Sequence, residues 1–195
     1  MYKIQRILDA YFVTRSADSI DEQSLNWIKD SQFWKEFIKT QLNKDDVIID
    51  LGSHIGGFAI LAAMQSNCKV FAFEPDLDSF NICKANVYLN RLNKVIYCLN
   101  FAAGGQDGKV ELMESTENWG HTILKETQSQ NQMTGKKRKV RCLSLKSVID
   151  LVEKTGQPNW KRGLLSVIRV IGFRSSFSCA YMSAFASDFS LWASA

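Results

Sequence analysis

Val47–Ile60 reads VIIDLGSHIGGFAI, an apolar run closed by an acid and followed by spaced glycines. Val47, Ile48 and Ile49 lack the polar alternation of a half-exposed strand, so they predict a strand buried on both faces of a sheet. Asp50 falls at that strand's carboxyl end. Gly52 and Gly56 let the next turn approach a ligand with no Cβ in the way. Phe58–Met64 is small and apolar enough to pack on the sheet as a helix. The order of strand, glycine loop and helix predicts an α/β unit with a binding site at the turn.

A second apolar strand, KVFAFEP at Lys69–Pro75, places Glu74 24 positions after Asp50. An acid there in a βαβ unit can accept hydrogen bonds from a ribose hydroxyl pair. The loop is D-x-G-x-x-x-G and lacks the three-glycine turn that seats a pyrophosphate. S-adenosylmethionine suits it better than a dinucleotide, and a plain packing turn is the remaining alternative. Asp76–Asn90 then reads as a helix, and Val95–Leu99 as a third strand.

Three segments in order carry a family resemblance: DDVIIDLGSHIGGFAILAA, KVFAFEPDLDSFNICKANVYLN and NKVIYCLNFAAGGQDGKVEL. They resemble the FkbM family of S-adenosylmethionine-dependent methyltransferases, whose members read iDvGAniG, then aFEPnp with a helix ending rNialN, then a segment like nAAvgd. The similarity spans about Gln32 to Asp150. It implies an α/β class I methyltransferase (Rossmann-like) fold, a three-layer sandwich. It also implies methylation of a hydroxyl on a metabolite, sugar or glycan. The cofactor residues it implies are Asp50, Gly52, Ser53, His54, Gly56, Glu74 and Pro75, with Asn100 and Ala102 near the adenine. His54 stands where the family has asparagine. No catalytic base is identified.

The chain departs from the family near Trp160. The family continues into a strand K-x-D-x-E-G-x-E near the reacting end of the cofactor, whereas this chain runs from Pro158 into NWKRGLLSVIRVIGFRSSFSCAYMSAFASDFSLWASA. Residues 164–195 hold eight serines and three charged residues, Arg169, Arg174 and Asp188, with no lysine or glutamate. The expectation is a frame change or rearrangement near Trp160, a sheet incomplete at its C-terminal end, and a truncated catalytic half with impaired activity. The alternative is a non-catalytic cofactor-binding or purely structural module. Leu164–Ile171 has the β-branched content of a fourth strand. Exposed sheet edges would favour pairing with a second copy, a homodimer.

A length of 195 residues with 46% hydrophobic residues suits one core. The organisation expected is N-terminal amphipathic helices at 1–45, a cofactor domain at 46–160 and an atypical tail at 161–195. Ile4, Ile7, Leu8, Tyr11 and Phe12 fit helical spacing, as do Leu25, Ile28, Phe33, Trp34, Phe37 and Ile38 in Ser24–Leu42. Neither stretch resembles a signal peptide or a membrane span. Five scattered cysteines without a C-x-x-C pair suggest reduced thiols, a cytoplasmic setting and no metal site.

Lys109–Glu114 alternates like an exposed strand, and Glu117–Lys139 reads as a polar surface loop. Trp119-Gly120-His121 lies in that loop, where His121 is either a general base or a solvent-facing histidine. Lys136, Lys137, Arg138, Lys139 and Arg141 form a charge run, read as a solvated loop tip with attraction for anionic substrates as the functional alternative. Val140–Leu143 reads as strand-like, followed by a helix at Leu145–Glu153. The net charge of +4 is too mild to demand a nucleic-acid partner, and none is expected.

Overall fold

The computed structural model describes residues 1–16, 19–42, 44, 46–115, 133–155 and 169–170. The chain opens with a β-hairpin where helical spacing predicted a helix. Strand β1 (Tyr2–Ile7) pairs antiparallel with β2 (Ala10–Arg15), in register from Tyr2 opposite Arg15 to Ile7 opposite Ala10. Leu8, at φ 53°, turns the chain in the left-handed region. The strand signal was the alternation Ala10, Phe12, Thr14, all fully buried, in a segment rich in β-branched and aromatic residues. Over so short a run, helical and strand periodicities coincide at several positions.

Helix α1 (Ser19–Asp30) and helix α2 (Gln32–Gln41) replace the single amphipathic stretch expected, with the break at Ser31. Strand β3 (Val47–Leu51) follows, then α3 (Gly57–Ser66), β4 (Lys69–Phe73), α4 (Leu77–Leu89) and β5 (Ile96–Leu99). These bounds fall within two residues of those read from the sequence, because buried strands and capped helices announce themselves locally. Asp76 caps α4 by accepting from the Ser79 amide at 2.7 Å.

The central sheet is parallel, in the order β5-β4-β3-β9, where β9 is Arg169–Val170 beside Asp50 and Leu51. β9 falls within the segment given strand potential by composition. The rest of residues 156–195, including the expected frame change near Trp160, lies outside the described residues, as do Trp119 and His121. A second sheet, in the order β6-β8-β7, contains β6 (Ala102–Gly104), β7 (Gly108–Ser115) and β8 (Met133–Ser144). β7 covers the exposed strand expected at Lys109–Glu114. β8 corrects the loop reading of the charge run, because Lys136–Arg141 lies in a strand paired antiparallel with β7. Alternation supports it: Cys142 is buried, Arg138 and Val140 are half-buried, and Lys137, Lys139 and Arg141 are exposed. Charge density masked that period of two.

Helix α5 (Leu145–Lys154) closes the opposite face. Ile48, Val70 and Ala72 point into a core shared with α1 to α4 and the hairpin, while Val47, Ile49, Leu51, Phe71 and Phe73 meet Val148 and Val152 of α5. The result is a three-layer α/β arrangement, helices on both faces of a parallel sheet. Phe71 stacks on Tyr97 with centroids 4.9 Å apart.

Two side-chain amides bind the hairpin to the sandwich. Asn90 Oδ1 accepts from the Tyr11 amide at 2.8 Å and its Nδ2 donates to the Tyr11 carbonyl at 2.7 Å. One helical turn earlier, Asn86 Oδ1 accepts from the Val13 amide at 2.6 Å, while its Nδ2 donates to the carbonyls of Val13 and Ile55 at 3.2 and 2.9 Å. Positions i and i+4 on a helix match positions i and i+2 on a strand edge, so the asparagines stand in for a neighbouring strand. No helix among the described residues is long and apolar enough to cross a membrane.

Candidate functional site

Strand order reverses at β3: β4 and β5 lie to one side of it, and β9 to the other, all parallel. In an open α/β sheet the crevice beyond the carboxyl ends at such a switch point is where ligands bind. Asp50, Gly52, Ser53, His54 and Gly56 lie there, and Glu74 and Pro75 follow the end of the adjacent strand. Parallel register puts Asp50 opposite Ala72 and Leu51 opposite Phe73, so the acid and the loop share one rim.

The glycine loop is a compact, bonded turn. Gly52 and Ser53 amides both donate to the Phe73 carbonyl, at 2.8 and 2.9 Å, and the Gly56 amide donates to the Ser53 carbonyl at 2.8 Å. Gly52, His54 and Gly56 have φ of 81°, 52° and 85°. A Cβ on Gly52 would meet nothing within 4 Å, so that side of the backbone is open to a ligand. A Cβ on Gly56 would lie 2.8 Å from Cys83 Sγ, so this glycine serves packing between the loop and α4. Gly56→Ala is therefore expected to destabilise the fold by about 2–3 kcal/mol through backbone strain and overlap. Gly52→Ala should weaken ligand binding with a smaller stability loss. Urea unfolding and cofactor titration of both variants check the contrast.

Asp50 is fully buried at the end of β3. Glu74 is 7% exposed, and both its oxygens hold backbone: Oε2 accepts from the His54 amide and Oε1 from the Asp76 amide, each at 2.8 Å. Glu74 thus ties the glycine loop to the turn that opens α4. A carboxylate has about four lone-pair sites, so acceptor capacity remains for ligand hydroxyls. Burial pushes the Glu74 carboxyl up to about 8; the His54 amide, Arg15 and Arg138 oppose that rise and Asp50 adds to it.

Asn100 Nδ2 donates to the carbonyls of Glu74 and Pro75, at 2.7 and 3.2 Å. The structure therefore shows Asn100 fastening the acid turn to the end of β5. Ala102 is buried at the start of β6, and Ser53 is buried with Oγ 3.9 Å from Cys83 Sγ.

Sequence reasoning missed the supports behind this rim. Arg15 at the end of β2 donates from its backbone N and its Nε to Asp21 Oδ2, at 2.7 and 3.0 Å, and from Nη2 to Oδ1 at 2.7 Å. The same Nη2 lies 3.1 Å from His54 Nε2 and 3.3 Å from Ser79 Oγ. His54 Nε2 is also 3.3 Å from Asp21 Oδ1. His54 is thus held by the N-terminal segment, with its side chain on Arg15 and Asp21 and its amide on Glu74. The available signal was Asp21 in the first turn of α1; its partner was invisible while β2 was read as a helix. On the other flank, Asp76 pairs with Arg138 of β8.

No protein-family model matches the chain. It is 26% identical over 102 residues to a tRNA (guanine(37)-N(1))-methyltransferase of Dictyostelium discoideum, covering 52% of this chain and 22% of that protein. Among solved structures, TYW2 of P. horikoshii in complex with MeSAdo matches at 17% identity and a TM-score of 0.39, over 53% of this chain and 42% of that one. The SAM-dependent methyltransferase from Agrobacterium tumefaciens matches at 15% and 0.39, over 55% and 41%. The chain spans about a fifth of the length of the curated relative it matches. That relative is named for tRNA, which overturns the expectation of a hydroxylated small molecule or glycan as acceptor and of no nucleic-acid partner.

Proposed function

We propose that this chain binds S-adenosylmethionine at the carboxyl ends of β3 and β4 and forms the cofactor half of a methyltransferase acting on RNA. One observation supports the cofactor assignment most directly: a buried acid, an open-sided glycine and a second buried acid share one rim at the sheet's switch point. The similarity to a tRNA methyltransferase over 102 residues supports the acceptor class. The strand order β5-β4-β3-β9 agrees with the first half of a class I, Rossmann-like sheet. The FkbM resemblance rests on β3–α3, β4–α4 and the run from β5 through β6 into β7, and so speaks for descent of the cofactor half alone.

The residues fit the cofactor. Glu74 would accept from the ribose hydroxyls, Asp50 would face the positively charged end across the glycine loop, and the Gly52 backbone would border the ligand. Asn100, Pro75 and Ala102 would form the adenine side. When bound, the cofactor supplies an electrophilic methyl group on a sulfonium. The chain's own contribution is to orient it and to keep the loop rigid through the Arg15, Asp21 and His54 contacts, since in-line attack demands alignment.

Isothermal titration with S-adenosylmethionine should give saturable one-to-one binding, and labelled methyl should pass to unfractionated tRNA. A folded sample that binds no cofactor would overturn the cofactor assignment. Binding without transfer to tRNA would instead support a non-catalytic cofactor module.

A further inference from the structure

The geometry points to the outer face of the β7–β8 ribbon as the surface that docks an RNA phosphate backbone, an inference that rests on the RNA-directed reading above. In the antiparallel register Lys109 faces Arg141, Glu111 faces Lys139 and Met113 faces Lys137. Directly opposed residues share a face, so the exposed Lys109, Lys137, Lys139 and Arg141 stand together with Glu111 as the acid among them and the buried Met113 at the end beside Lys137. The reverse face carries Val110, Leu112, Val140 and Cys142, and Leu112 and Cys142 are buried. The ribbon therefore turns its apolar side inward and an excess of three positive charges outward. Glu111 bridges Lys137 at 3.1 Å and leaves Lys109, Lys139 and Arg141 to set the sign of the field.

The ribbon is anchored to the candidate cofactor site at two points. Arg138, on the inward face, pairs with Asp76, whose amide bonds Glu74. Arg141 lies over the Phe101 ring, 4.3 Å from its centroid, and Phe101 follows the Asn100 that fastens Glu74 and Pro75. A strand tracking the cations thus passes the rim formed by the ends of β4 and β5. Alternate residues on a strand repeat every ~6.7 Å, a step comparable with that between neighbouring backbone phosphates. Lysine heads on an open face neutralise phosphates without reading bases, so this surface supplies affinity and positioning, and base choice comes from elsewhere.

Fluorescence anisotropy with labelled unfractionated tRNA tests this, using the wild type and the triple variant K109A/K137A/K139A between about 50 and 200 mM salt. These side chains are exposed, and Arg141 is kept because it packs on Phe101. The variant should bind about 10- to 100-fold more weakly at low salt, with a log–log salt slope shallower by about 2–3, while its cofactor titration matches the wild type. Unchanged tRNA affinity and slope in the variant would overturn the docking surface alone. Preference of the wild type for anionic phospholipid vesicles over tRNA would also overturn it. Loss of cofactor binding by the wild type would instead strike at the function proposed above.

Discussion

Glu74→Ala is expected to lower affinity for S-adenosylmethionine about 100-fold if Glu74 serves the ribose as proposed, because it removes that acceptor and releases the loop and turn that its two oxygens hold. The same change orphans the His54 and Asp76 amides, so stability should fall by about 2–4 kcal/mol. Glu74→Gln separates the two effects, since its amide oxygen still accepts one backbone N–H. The wild type should also show a pH signature. In the folded chain burial raises the carboxyl from 4.5 to about 8, so between those values the native state holds a proton that the unfolded chain has lost. This contribution is fully present below about pH 4.5 and declines as pH rises through 8, by about 1.4 kcal/mol per unit. In Glu74→Gln that slope should vanish, and parallel stability curves for the two proteins would overturn the assignment. Ribose hydroxyls donate to the ionised form, so cofactor binding should release protons near neutrality and tighten toward pH 8. Titrations in buffers of differing ionisation enthalpy measure that release.

Asp21→Ala should be the most destabilising change in the N-terminal segment, at about 3–5 kcal/mol. Asp21 is fully buried, the Arg15 side chain is 14% exposed, and their contact includes Nε and Nη2 of the guanidinium and the Arg15 amide. Removing the acid leaves a largely buried guanidinium beside His54. An apolar pair, Arg15→Met with Asp21→Leu, should recover much of the loss, since the isolated charge and not the missing attraction dominates. Denaturant unfolding of both single variants and the pair measures the coupling, and simple additivity would exclude the network. Cofactor affinity should fall along with stability, because His54 links this pair to Glu74.

Much of the central unit is legible in the sequence. Val47–Ile49 and Val70–Phe73 are short apolar runs ended by acids and rich in β-branched and aromatic residues, which suits strands covered on both faces. The helix read over Asp76–Asn90 matches α4, which Asp76 caps. Where helical and strand periods overlap, as at Ile4–Phe12, local pattern could not decide, and pairing across the hairpin did. The same held for Lys136–Arg141, whose charges concealed an alternation that only a partner strand reveals.

The sequence by itself determined the βαβαβ unit and the place of its glycine loop and two acids, because strand burial, glycine conformation and helix capping act over a few residues. Tertiary structure alone decided that Glu74 holds the loop through His54 and Asp76, that Arg15 and Asp21 brace it at His54 from 39 and 33 residues away in sequence, and that a run of cations is divided between the two faces of a ribbon. Those outcomes depend on which distant segments pack together, and a carboxylate or lysine acquires its role only from the partners that packing brings within reach.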